Sequence, residues 1–159
     1  MRVKKSTDPA VQSILLVDDN ANGLKARKMV LEELGYKIVT ACHGRDALAQ
    51  FTPKTFDLVV TDYKMPYVDG LELIASLRKR EPELRIVLIS GFADTLGLNE
   101  ENTQADVVIQ KNANEVAHLV RAVSRLMRTK PALGPAPRPA RGTSGSSGSA
   151  PAKAKRKAV

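Results

Sequence analysis

The chain is nearly devoid of cysteine, with Cys42 as its single example. One cysteine cannot form a disulfide within the chain, which excludes the class of small secreted domains stapled by disulfides. We therefore expect a reducing compartment, the cytoplasm. Free cysteine is among the most often buried residue types, so we predict that Cys42 is a small buried hydrophobic residue at the end of its strand.

Long apolar runs are also missing, and none approaches the roughly 18 residues needed to span a bilayer. The first residues, "MRVKKSTDPA", are charged but lead into no apolar stretch long enough for a signal peptide. We expect a soluble protein with no membrane insertion. Aromatic residues make up 4% of the 159 residues and apolar residues 43%, so the core must be mainly aliphatic.

Acidic residues are absent from residues 129–159, which contain seven of the 25 basic residues. The remaining 18 basic residues face 17 acidic ones in residues 1–128, so the net charge of +8 belongs mainly to this segment, which is rich in Pro, Gly, Ser and Ala. We predict three parts: an N-terminal extension (1–11), a folded domain (12–128) and a disordered basic tail (129–159). Three interpretations remain for the basic group at 153–157: a solvated tail, a non-specific nucleic-acid contact, or a ligand for a specific protein.

Five short apolar segments indicate strands: "SILLV", "KIVTA", "DLVVT", "RIVLIS" and "DVVIQ". Their apolar residues are continuous rather than alternating, as in parallel strands that are covered on both faces. Helical patterns separate them, which predicts an α/β fold with a doubly wound, five-stranded parallel sheet in the order 2-1-3-4-5. The fourth helical segment, "ADTLGLNEENTQ", has little periodicity and should be short, frayed or displaced. Asn112 and Glu115 should form a capping box at the last helix.

Carboxylates follow two of these strands. Asp18 and Asp19 come directly after the first strand, and Asp62 ends the third. Because strands 1 and 3 are neighbours in this order, the three side chains should converge at the carboxyl edge of the sheet. Clustered carboxylates repel one another unless a cation neutralises them, and few oxygen ligands supplemented by water and phosphate suit Mg²⁺.

A hydroxyl and an ammonium group stand at the ends of the fourth and fifth strands. Ser90 stands in "LISGF" and Lys111 in "IQKNA". A carboxylate beside Mg²⁺ can take a phosphoryl group as a nucleophile, and Ser90 and Lys111 would then face the phosphoryl oxygens. Each residue alone would be a turn former or a solvated charge. Together they predict a phosphate site around Asp62.

The segments "LLVDDN", "VVTDYKMPYVDG", "LISG" and "IQK" closely resemble the receiver domain of bacterial two-component response regulators. The resemblance covers residues 12–128. It implies a CheY-like, flavodoxin-like fold and phosphorylation of Asp62 by a histidine kinase or phosphotransfer protein. It further implies Mg²⁺ bound by Asp18, Asp19, Asp62 and the backbone carbonyl of Lys64, with Ser90 and Lys111 in contact with the phosphoryl group.

The chain departs from the family pattern at two positions. Asn112 follows Lys111 where the family usually has proline, so we expect a trans peptide there and an altered aim of the Lys111 ammonium. Val108 replaces the aromatic residue that swings inward in the family, so the readout of phosphorylation should have moved elsewhere.

Two further side chains should overhang a phosphoryl group on Asp62. Lys64 and Phe92 stand two residues after Asp62 and Ser90. Phe92 would hinder an attacking water and Lys64 would hydrogen-bond the phosphate, which predicts a long-lived phosphorylated state. The alternative is that both side chains point into solvent.

The favoured function is a stand-alone receiver that changes the binding of a downstream protein partner, whose identity the sequence leaves open. It is not an enzyme beyond its own phosphorylation and dephosphorylation. The alternatives are a degenerate receiver that acts without phosphorylation and a receiver that controls nucleic-acid binding by the tail. A small-molecule phosphatase is disfavoured, because Lys64 stands where such sites need a second carboxylate.

Overall fold

A parallel sheet of five strands forms the centre of the folded domain. The computed structural model describes residues 11–128, so the expectations for residues 1–10 and 129–159 lie outside the described part of the chain. All neighbouring strands are parallel, and their order is β2-β1-β3-β4-β5. The predicted fold class is confirmed. The strands are β1 (Ser13–Val17), β2 (Lys37–Ala41), β3 (Leu58–Asp62), β4 (Arg85–Ser90) and β5 (Val107–Gln110).

Helices cover both faces of the sheet. They are α1 (Ala21–Glu33), α2 (Gly44–Gln50), α3 (Gly70–Arg80), α4 (Ala93–Leu96), α5 (Glu100–Thr103) and α6 (Glu115–Arg128). Within residues 11–128, none of these helices has the length and apolar character needed to cross a membrane.

The core has two aliphatic layers because successive strand residues point to opposite faces. Leu15 of β1 lies in the layer under α2 and α3, which includes Ile74 and Leu77. Ile14 and Leu16 point the other way, into the layer under α1 and α6, which includes Leu31, Leu119 and Val123. Each layer buries aliphatic side chains almost completely, which explains why continuous apolar segments were needed in the strands.

The connection between β4 and β5 is irregular, as the sequence predicts. Helix α4 has four residues and ends at Gly97, whose φ of +66° is left-handed, a conformation that favours glycine. Helix α5 also has four residues and is capped by Asn99. The Val108 N–H donates to Glu100 Oε2 at 3.3 Å. The fourth helix of the predicted pattern is therefore broken into two single turns.

The capping box predicted at the start of α6 is wrong. Asn112 Oδ1 accepts a hydrogen bond from the Asn114 N–H at 2.8 Å. The Glu115 carboxylate accepts instead from Arg27 Nε at 2.6 Å. Helix α6 begins at Glu115 itself, two residues later than a capping box of Asn112 and Glu115 requires. The Glu115 carboxylate bonds a charged donor instead, and such a bond is stronger than one to a neutral amide.

The predicted burial of Cys42 is also wrong, because the side chain is exposed. It follows the last residue of β2, where the chain leaves the sheet. Its N–H donates to Asp46 Oδ2 at 3.1 Å, and this bond orients the residue outward at the start of α2.

Candidate functional site

Strand register brings the acidic residues together at the carboxyl edge of the sheet. Val17 pairs with Thr61, so the residues that come next along the chain, Asp18 and Asp62, lie side by side. Asp62 pairs in turn with Ile89 of β4. The convergence inferred from the strand order is therefore present.

The three carboxylates form one compact group. One oxygen each from Asp18, Asp19 and Asp62 lies within 4.8 Å of the others. Asp18 and Asp62 are buried and Asp19 is exposed, so the group opens to solvent on one side. Three hard oxygen donors at this spacing, with room for water on the open side, fit Mg²⁺.

Asp62 is paired with a cation at the end of β5. Lys111 Nζ lies 2.8 Å from Asp62 Oδ1, but it is not aligned for a hydrogen bond, and Oδ1 accepts none within the described residues. Burial raises the pKa of Asp62 above its ordinary value; Lys111 opposes this rise and the charge of Asp18 adds to it. This oxygen is thus buried and poorly satisfied, as expected of a group that acquires a further partner.

Ser90 and Lys111 are positioned by β4 and β5. Ser90 is 1% exposed, and its backbone carbonyl accepts from the Lys111 N–H at 2.9 Å. The Ser90 hydroxyl oxygen accepts from the Phe92 N–H at 2.8 Å. The described residues contain no cis peptide, which confirms the trans bond expected before Asn112. The trans peptide nevertheless directs Lys111 to Asp62.

The loop after β3 folds back closely beneath Asp62. The Gly70 N–H donates to the Tyr63 carbonyl at 2.7 Å and the Val68 N–H to the Pro66 carbonyl at 2.8 Å. A Cβ on Gly70 would lie 2.5 Å from the Asp62 carbonyl oxygen, so only glycine permits this approach. Pro66 and Gly70 therefore shape the turns of this loop.

Lys64 and Phe92 contact each other above this edge of the sheet. Lys64 Nζ lies 5.3 Å from the centre of the Phe92 ring, within the range of a cation–π interaction. Both side chains are exposed. They form a pair rather than pointing independently into solvent, but their effect on a phosphoryl group stays a prediction.

Arg27 is the site residue that sequence reasoning missed. Its guanidinium is buried and bonds both Asp18 and Glu115. Burial lowers the pKa of Arg27, but the hydrogen bonds to Glu115 and Asp18 outweigh this effect and leave the pKa above its ordinary value. The signal was available: Arg27 lies three residues after Leu24 and four before Leu31, on the inward stripe of α1.

The sequence model of the response regulator receiver domain matches residues 14–124. The response regulator receiver protein CpdR of Brucella abortus is 26% identical over 117 residues, which cover 74% of this chain and 98% of CpdR. A probable transcriptional regulator of Cyanidium caldarium, ycf27, is 34% identical over 96 residues, 60% of this chain. The chain spans only 38% of the length of ycf27.

Solved structures share the fold. The non-phosphorylated HemR receiver domain of Leptospira biflexa has a TM-score of 0.69 and 27% identity, over 77% of this chain and 99% of that one. The response regulator TrrA of Thermotoga maritima, solved in complex with Mg²⁺ and BeF, has a TM-score of 0.65 and 32% identity, over 73% of this chain and 99% of that one. The family match covers well over half of this chain, which therefore belongs to the response regulator receiver domain family.

Proposed function

We propose that the chain is a phosphorylation-dependent signalling module that accepts a phosphoryl group on Asp62 from a histidine kinase or phosphotransfer protein. The observation that carries the proposal is the buried Asp62 carboxylate, grouped with Asp18 and Asp19 and faced by Lys111. A raised pKa and an oxygen without an aligned donor mark Asp62 as the group whose environment is completed in another state.

In the transfer, an Asp62 carboxylate oxygen attacks the phosphorus of a phosphohistidine. The new O–P bond forms as the P–N bond breaks, and the imidazole leaves with the electron pair. The product is an acyl phosphate on Asp62, which water later hydrolyses to restore the carboxylate and release inorganic phosphate. Mg²⁺ held by Asp18, Asp19, Asp62 and the Lys64 carbonyl would neutralise the carboxylates and the phosphoryl oxygens.

Lys111 and Ser90 then stabilise the product. The Lys111 ammonium already faces Asp62, so it would follow the negative charge onto the phosphoryl oxygens through a charge-assisted contact. The Ser90 hydroxyl would turn toward the same group. That rotation breaks the hydrogen bond that Ser90 Oγ accepts from the Phe92 N–H.

The change at Phe92 supplies a readout that Val108 cannot. Val108 is half-buried against the core layer under α2 and α3, and it has no ring to move. Phe92 directly precedes α4 and is 42% exposed. A shift of the turn at Phe92 would alter the surface formed by α4 and the exposed Lys64, where a partner protein would detect phosphorylation.

Incubation with acetyl phosphate and Mg²⁺, followed by intact-mass measurement, tests the proposal. The wild type should gain one phosphoryl group, and Asp62→Asn should gain none. Transfer from a phosphorylated histidine kinase domain should show the same dependence on Asp62. No added mass in the wild type with either donor would contradict the proposal and favour a degenerate receiver that acts without phosphorylation.

A further inference from the structure

A chain of three charged side chains, of which Asp18 and Arg27 are buried, joins the acidic cluster to Glu115 of α6. Arg27 of α1 is 6% exposed and Asp18 is 1% exposed. Arg27 Nε donates to Glu115 Oε2 at 2.6 Å, and Nη1 donates to Asp18 Oδ2. The other oxygen of Asp18, Oδ1, accepts from the Asn20 N–H at 2.9 Å. The guanidinium therefore holds one oxygen of a carboxylate that also belongs to the candidate metal site.

The first turn of α1 leaves space for this pair. A Cβ on Gly23 would lie 3.1 Å from Asp18 Oδ2 and 3.3 Å from Arg27 Nη1, closer than side-chain atoms normally approach. Glycine is unfavourable inside a helix, so its presence here is explained by the space that the Arg27–Asp18 contact requires.

Charge balance shows what the guanidinium does to the cluster. Asp18, Asp19, Asp62 and Glu115 supply four negative charges, and Arg27 and Lys111 supply two positive ones. A net charge of two negative units remains, against three if Arg27 were neutral. A fixed cation so close to the carboxylates weakens their attraction for a second cation.

We propose that Arg27 is a positioning residue that sets the Mg²⁺ affinity of the acidic cluster and links metal binding to the first turn of α6. The guanidinium and the metal compete for the Asp18 carboxylate. Glu115 offers the guanidinium a second partner, so metal binding shifts the guanidinium away from Asp18 and toward Glu115 of α6. The inference rests on the proposed function only in taking the acidic cluster as the Mg²⁺ site.

Isothermal titration of the metal-free full chain with Mg²⁺ tests the inference. Arg27→Met keeps an unbranched apolar stem but removes the charge, and it should raise the Mg²⁺ affinity by about tenfold, since a unit charge within a few ångströms of the ion is lost. Glu115→Gln should have the opposite effect, because the guanidinium is then left to Asp18. Arg121→Met removes the same charge from an exposed position of α6 and should leave the affinity unchanged.

A merely structural role for Arg27 would not produce opposite shifts in the two variants. Arg27→Met with native circular dichroism and an unchanged or lower Mg²⁺ affinity would overturn the inference. If Arg27→Met does not fold, NMR on the wild type decides: the Arg27 Nε–H resonance should move along the Mg²⁺ binding curve, and a resonance unmoved at saturation overturns the inference.

The same experiment separates this inference from the proposed function. If the wild type binds Mg²⁺ and Arg27→Met binds it with the same affinity, only the proposed role of Arg27 is refuted, and the metal site stands. No Mg²⁺ binding by either protein refutes both the metal site and its tuning by Arg27.

Discussion

Lys111 Nζ lies 2.8 Å from Asp62 Oδ1, so the ends of β5 and β3 are joined by an ion pair that passes over the end of β4. Asp62 is almost fully buried in this pair, and Lys111 keeps about a third of its side chain exposed. The ammonium can therefore follow a charge that moves outward from the carboxylate. This freedom is what a residue needs if it is to contact first Asp62 and then a phosphoryl group on it.

Replacement of Lys111 by methionine should slow phosphorylation of Asp62. The variant keeps most of the side-chain volume and removes the ammonium that faces the carboxylate. Loss of a preorganised charge at a reacting group typically lowers the rate about a hundredfold. The measurement is the rate of mass gain with acetyl phosphate at saturating Mg²⁺.

Lys79→Met is the matched control for this variant. Lys79 is exposed on α3, so its loss changes the net charge equally without altering the site. If Lys111→Met and Lys79→Met gained mass equally fast, Lys111 would have no role in the transfer.

Asp62→Asn should stabilise the metal-free protein at neutral pH. Burial raises the pKa of Asp62, so the folded chain binds this proton more tightly than the unfolded chain. The stability contributed by Asp62 is fully present below the unfolded pKa and is lost as the pH rises through the folded pKa. The extra stability of Asp62→Asn over the wild type should therefore shrink as the pH falls from the folded pKa of Asp62 to its unfolded pKa.

Urea unfolding in the presence of a chelator, repeated at several pH values, measures this difference. Asp94→Asn is the control, because Asp94 is exposed on α4 and should alter the free energy of unfolding by less than about 0.5 kcal/mol. A wild type as stable as Asp62→Asn at neutral pH would contradict the prediction. Added Mg²⁺ should stabilise the wild type by mass action.

The sheet and the acidic cluster were predictable because both follow from local patterns. Continuous apolar segments indicate buried parallel strands, and residues that end neighbouring parallel strands share one edge whatever their side-chain details. Asp18, Asp62, Ser90 and Lys111 could therefore be placed at one edge from the sequence alone.

The links between distant elements could not be predicted in the same way. Arg27 and Glu115 are 88 positions apart, and their contact depends on how α1 and α6 pack against one face of the sheet. The capping-box pattern predicts that the Glu115 side chain accepts a hydrogen bond from a backbone N–H near the start of its own helix. The buried guanidinium of Arg27 is the stronger partner. The apolar stripe of α1 indicates that Arg27 points inward, but it does not show which residue of α6 the side chain meets.

Gly70→Ala should destabilise the fold and displace the loop beneath Asp62. The added Cβ would lie 2.5 Å from the Asp62 carbonyl oxygen and 2.8 Å from Tyr63 Cα. Both are backbone atoms that cannot move without shifting the end of β3. We expect a loss of about 1–3 kcal/mol in the free energy of unfolding, as for other overpacked sites.

Gly91→Ala provides the control for the same change in side-chain volume. A Cβ on Gly91 would meet no atom within 4 Å, so this variant should unfold within about 0.5 kcal/mol of the wild type. Equal urea midpoints for the two alanine variants would show that the close approach at Gly70 is not required.

The phosphoryl group on Asp62 should be lost faster when Lys64 and Phe92 are replaced together. The two side chains contact each other with 5.3 Å between Nζ and the ring centre, so each holds the other in place. Phe92 would hinder the approach of water to the phosphorus, and Lys64 would bind a phosphoryl oxygen. Phe92→Ala with Lys64→Asn should shorten the lifetime about tenfold, the rate equivalent of one interaction of about 1.4 kcal/mol.

Decay of the added mass after removal of acetyl phosphate measures this lifetime. Leu96→Ala is the control, since Leu96 of α4 is, like Phe92, an exposed apolar residue but lies outside the Lys64–Phe92 pair. Each single variant should also shorten the lifetime, but by less than the double variant does. Either replacement leaves the remaining side chain without its partner. Decay at the wild-type rate in the double variant would show that Lys64 and Phe92 lie away from the path of the attacking water.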